Sequence, residues 1–64
     1  MTQLQKDILL VILKSQLEIE NKVWDRLNEM RKSYDTAFVS DNTIIASTRI
    51  AEIRRQINLI ENGL

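Results

Sequence analysis

The most densely grouped polar residues of the chain are Ser40, Asp41, Asn42 and Thr43, followed within two helical turns by Ser47, Thr48 and Arg49. At the start of a helix the first backbone N–H groups lack internal partners, and the helix dipole favours negative charge there. Hydroxyls, an amide and a guanidinium at that place are the groups that hold an anion. The chemistry open to Ser40, Asn42, Thr43, Ser47 and Arg49 is therefore capture of a nucleotide or other phosphate-bearing ligand. Tyr34 and Phe38 stand close by and could contact a ligand or a partner. Asp41 opposes an anion by like charge. The plainer role of the same residues is ordinary helix capping.

Other chemistry-bearing residues are few. Gln16 and Glu20 fall inside an otherwise apolar helical face, where a buried polar layer can set register and oligomeric state, or a buried carboxylate can contact a ligand. The plainer placement is at an edge, reaching solvent. Arg49, Arg54 and Arg55 project in separate directions on a helix, and Glu52 is three residues from both Arg49 and Arg55, so local pairing is available. A nucleic-acid surface would want these cations together and interleaved with aromatics. Trp24, Tyr34 and Phe38 fall near one side of the first helix, as core residues do. There is no His and no Cys, so no disulfide, no thiolate and no ordinary transition-metal site is expected. No nucleophile has a recognisable base. The sequence predicts a non-enzyme without cofactor or metal.

Composition narrows the partners. Nine basic and nine acidic residues give a net charge of zero, which argues against binding nucleic acid by phosphate neutralisation. The only Gly is Gly63 and there is no Pro, so no phosphate-cradling glycine loop can form and nothing breaks a helix before the end. The run Ile8 to Leu13 is too short for the roughly 20 residues that cross a bilayer. It is also too short for a signal-peptide core, and no small-residue cleavage site follows it. A soluble, cytoplasmic protein is expected.

These residues must be positioned by helices. The spacing predicts a first helix from about Thr2 or Gln3 to about Tyr34. Leu9, Ile12, Leu13, Leu17, Ile19, Val23, Trp24, Leu27, Met30 and Tyr34 share one broad face at 100° per residue. Lys14, Glu18, Lys22, Asp25, Glu29 and Lys32 lie opposite. A second helix is expected to start near Ser40 to Asn42. With Ser40 as the cap, Val39 and Ile44 take the hydrophobic-staple positions. Ala46, Ile50, Ile53, Ile57, Ile60 and Leu64 then repeat in a 4-3 spacing, a coiled-coil seam in miniature. Gly63 suits a left-handed C′ position, with Leu64 folding back on Leu59. The competing prediction is a β-hairpin over Thr36 to Ser47, with Ala37–Val39 and Ile44–Ile45 as strands around Asp41-Asn42.

Helix lengths of about 32 and 21 residues, roughly 48 and 32 Å, imply an antiparallel hairpin in which the second helix covers the first only as far as about residue 14. The uncovered overhang, about residues 3–13, contains the six apolar residues of Ile8–Leu13, which point in every direction around a helix and need cover on every side. A chain this short usually needs a staple, and oligomerisation is the one available. The expected architecture is a single all-α domain, residues 1–64: a hairpin with a long first and a shorter second helix, assembling into an intermolecular bundle, dimer or tetramer. Its interface residues are Leu4, Ile8, Leu9, Val11, Ile12, Leu13 and Leu17.

A helical hairpin with Ser47-Thr48-Arg49-Ile50-Ala51 resembles the sporulation aspartyl-phosphatase regulators of the Spo-zero-E type, whose motif is Ser-Gln-Glu-Leu-Asp. Only Ser47 matches, and Ala51 stands where the motif has its Asp, so that activity is not carried over. The expected function is a small, non-enzymatic, oligomeric helical protein that binds another protein as adaptor, inhibitor or assembly factor. Such proteins are common among phage products, which is an analogy. A phosphate-ligand-sequestering oligomer is the second reading, and a nucleic-acid-binding regulator the third.

Overall fold

The computed structural model describes residues 1–63. Two helices, α1 (Gln3–Ser33) and α2 (Ala37–Glu61), are joined by Tyr34, Asp35 and Thr36. They pack against each other over the length of α2 as a hairpin about one helix pair thick, with backbone extents of 47 × 15 × 13 Å.

Each helix starts on a threonine. Thr2 forms a capping box: the Gln5 N–H donates to Thr2 Oγ1 at 3.2 Å, and the Thr2 N–H donates to Gln5 Oε1 at 2.9 Å. This satisfies two otherwise orphaned donors reciprocally. Arg31 and Lys32 in the last turn of α1 complement its dipole. The Tyr34 N–H closes that helix on the Met30 carbonyl at 2.7 Å. Thr36 then caps α2, its Oγ1 accepting from the Val39 N–H at 3.3 Å.

The start of α2 corrects the sequence reading. The helix begins at Ala37, not between Ser40 and Asn42, and the β-hairpin does not form. The reason lies in register. Starting at Thr36 brings Val39 and Thr43 into phase with Ala46, Ile50, Ile53, Ile57 and Ile60, and both are buried, at 6% and 5% exposure. Thr43 is tolerated there because its Oγ1 donates to the Val39 carbonyl at 2.8 Å. The expected staple is absent, since Val39 is a core residue and Ile44 is exposed. At the other end Gly63 adopts φ +85°, as its C′ role requires. The expected contact of Leu64 with Leu59 lies outside the described residues.

Among the α1 residues turned toward α2 are Leu10, Leu13, Leu17, Glu20 and Leu27, of which Leu13 alone is buried. The broad apolar face of the sequence reading is therefore split. Leu13, Leu17 and Leu27 meet α2, while Ile12, Ile19, Val23 and Met30 stay exposed beside it. A single helix about 10 Å wide covers one stripe of its neighbour, not a face this broad.

At the open end the expected overhang is present but shorter than the sequence reading gave, because α2 has 25 residues. Lys14 Nζ lies 3.4 Å from Glu61 Oε2, so the last turn of α2 reaches residue 14. Leu9, Ile12 and Leu13 share a groove with Gln56, Leu59 and Ile60, which trims the free overhang to the first turns of α1. Within Ile8–Leu13, Leu13 is buried and Leu10 half-buried, and Ile8, Leu9, Val11 and Ile12 remain exposed. Leu13 and Leu17 thus belong to the seam within the hairpin, not to its outside. Among the described residues, no helix is long and apolar enough to cross a membrane.

Candidate interaction face

The two broad sides of the hairpin are built from different residues. On α1 the exposed stripe is Leu9, Ile12, Gln16, Ile19, Val23 and Met30, which repeats at three-, four- and seven-residue steps about 100° around the helix from the seam. On α2 the equivalent stripe is Phe38, Ile45, Arg49, Glu52, Gln56 and Leu59. Two grooves show that both stripes border the same side. Gln16, Ile19 and Glu20 line one together with Thr48, Arg49, Glu52 and Ile53, and Leu9 and Ile12 line the next with Gln56 and Leu59. The apolar members, exposed at 37% or more, are Leu9, Ile12, Ile19, Val23, Met30, Phe38, Ile45 and Leu59.

Polar side chains cluster at the middle of this side. Glu20 is half-buried, and its Oε2 is shielded from solvent without a hydrogen-bond partner. A carboxylate oxygen in that position costs free energy until a donor meets it. Arg49 is exposed in the same groove and, among the described residues, has no ion-pair partner. Glu52 is occupied: Arg55 Nη2 and Nε donate to it at 2.6 and 3.0 Å, and Gln56 Nε2 at 3.2 Å. The hydrogen bond from Arg55, with that from Gln56, holds the Glu52 carboxyl below its usual range and raises the Arg55 guanidinium.

The opposite side is mixed in character. Asn21, Trp24, Ser47, Ile50 and Arg54 line its groove, and Asn28, Arg31, Lys32 and Asp35 line another near the turn. Asn28 Nδ2 is used locally, donating to the Trp24 carbonyl at 3.0 Å.

The polar cluster singled out in the sequence does not assemble into an anion site. Because α2 starts at Ala37, Ser40, Asn42 and Thr43 sit within the helix, where the Ser40 N–H already donates to the Thr36 carbonyl at 3.0 Å. Asn42 Nδ2 donates to the Phe38 carbonyl, Thr43 Oγ1 to that of Val39 and Thr48 Oγ1 to that of Ile44. Ser47 and Arg49 line grooves on opposite sides. Tyr34 and Phe38 are exposed near the turn, Phe38 at 77%. Of the expected interface, Leu4, Ile8, Leu9, Val11 and Ile12 are exposed and Leu13 and Leu17 are turned inward.

Gln16 is exposed, as the plainer reading had it, while Glu20 points into the groove. The α2 contribution of Ile45, Glu52, Gln56 and Leu59 was not singled out from sequence. The signal existed: Phe38, Asn42, Ile45, Arg49, Glu52, Gln56 and Leu59 form a second 4-3 series offset by one residue from the seam, hidden because four of its seven members are polar. Comparison of the chain with protein-family models, with curated proteins and with solved structures finds no match.

Proposed function

We propose that this chain is a non-enzymatic helical protein that self-associates and acts by binding another protein, as an adaptor, inhibitor or assembly factor. The observation that carries the reading is the apolar stripe pair on one side of the hairpin, continuous with the exposed overhang residues Leu4, Ile8 and Val11. Its size supports the same reading. The accessible surface is 4977 Å², whereas a compact monomer of this mass exposes about 4,200 Å². The excess of roughly 700 Å² per chain is close to the roughly 800 Å² that each partner contributes to a standard stable interface. Large apolar side chains grouped on one side in this way are seldom left in water by a monomer.

Sedimentation analysis at micromolar concentration tests the reading. The expected outcome is a dimer or tetramer, and Ile12→Asp, at a position 49% exposed in the single chain, is expected to shift it to monomer while leaving the helical circular dichroism in place. A wild-type chain that sediments as a monomer throughout overturns it.

A further inference from the structure

We infer that the occupant of the apolar side is a second copy of this chain, related by a two-fold axis parallel to the helices, with Glu20 of each copy paired to Arg49 of the other. The inference rests on the self-association proposed above and specifies its geometry.

The argument is one of register. Both helices rise equally per residue, so positions equidistant from the turn lie at the same height. Under a two-fold axis along the helices, α1 of one copy faces α2 of the other at unchanged height. Counting from Asp35, Met30 is level with Phe38, Val23 with Ile45 and Leu9 with Leu59, each to within about one turn. Apolar side chains therefore meet apolar side chains toward both ends. In the middle, Gln16 is level with Glu52, and Glu20, about fifteen residues before Asp35, is level with Arg49, about fourteen after it. Glu20, whose Oε2 is shielded and unpartnered within its own hairpin, turns out into the groove it lines to meet the guanidinium that lacks a partner in its own chain. At the rim, Arg26 is level with Asp41, and neither is ion-paired in the hairpin among the described residues.

The other way to stack two copies turns the axis perpendicular to the helices. About the same centre this sets Met30 against Lys6, Phe38 against Gly63 and Glu20 against Gln16. Arg49 is then offered only Glu52, whose oxygens Arg55 and Gln56 already hold. Complementarity of charge and polarity selects the parallel axis. Every nearest-neighbour helix pair in the resulting four-helix bundle is antiparallel, and the two overhangs emerge at one end.

Two measurements test this. Glu20→Arg and Arg49→Glu are each expected to weaken self-association about tenfold or more, since each sets like charges against each other. An equimolar mixture of the two variants is expected to regain it, because both inter-chain contacts are then opposite in sign while both intra-chain ones are not. A mixture that associates no better than either variant alone overturns the pairing. Independently, the chain has no Cys, so Asp35→Cys takes a single spin label at the turn. The expected label-to-label distance is about 10–25 Å, one helix spacing plus the two labels. A distance near the 47 Å length of the hairpin overturns the parallel axis while self-association stands. A wild-type chain that stays monomeric overturns both. If a charge variant fails to fold, the label distance in the otherwise unaltered chain decides.

Discussion

The inward seam and the exposed flank of α1 are built to the same recipe and meet different fates. Leu10, Leu13, Leu17, Glu20 and Leu27 make the first; Leu9, Ile12, Gln16, Ile19, Val23 and Met30 make the second. Both repeat at three-, four- and seven-residue steps, and both carry polar residues among aliphatics. The seam has α2 against it; the flank has only solvent in the single chain. A helix with two such stripes roughly at right angles is patterned for two neighbours. The hairpin supplies one of them, and the self-association proposed above would supply the other. The difference teaches that the patterning of this chain exceeds what its own fold can bury.

The largest effects should separate the two stripes. Ile50, buried in the seam of α2, is expected to lose about 2–4 kcal/mol on Ile50→Ala, from lost burial plus the cavity left behind. Urea unfolding of dilute protein measures it. Ile19→Ala, on the flank and 60% exposed, should cost less than about 0.5 kcal/mol in the same dilute sample. Its effect should appear only at concentrations where association occurs. Equal losses at both sites would erase the distinction between seam and flank.

A smaller effect is expected at the cap of α2. Thr36→Ala removes the acceptor of the Val39 N–H and should cost about 1 kcal/mol, read as a lower urea midpoint. Ser40→Ala, at the position first expected to cap, should change stability by only a few tenths of a kcal/mol. The reverse ranking would move the start of α2 back to Ser40.

The smallest effect belongs to the Glu52 cluster on the flank. Its folded carboxyl titrates below its usual range because Arg55 and then Gln56 hydrogen-bond the charged form. The sign follows from linkage. The contribution is complete above the unfolded value, about 4.3, and is lost as pH falls through the lower folded value. Solvent exposure keeps it small. In an NMR titration, the Glu52 midpoint should rise toward its ordinary value in Arg55→Ala, and an unmoved midpoint would remove Arg55 as the cause.

Much of the architecture was legible. Two helices, the seam from Ala46 to Ile60, the role of Gly63 and the length mismatch all follow from period, turn chemistry and rise per residue. The start of α2 was not. Thr36, Ser40, Asp41, Asn42 and Thr43 are all competent caps, and local propensity does not rank them. Burial of Val39 and Thr43 against α1 does. For the same reason the grouping of Ser40, Asn42, Thr43, Ser47 and Arg49 failed as a site. Nearness along a chain places residues on a common face only once the helix phase is known, and that phase put Ser47 and Arg49 on opposite sides.

The amino-acid sequence alone determined that the chain is helical, that its two helices are unequal, and that its apolar surface outruns its own means of cover. These depend on spacing, length and composition, which are properties of the chain by itself. The tertiary structure decided which of the apolar stripes is core and which is free, and that Glu20 and Arg49 share one groove. These depend on the direction from which α2 approaches α1. Packing of the whole hairpin sets that direction, because no local segment of α1 distinguishes its two apolar stripes.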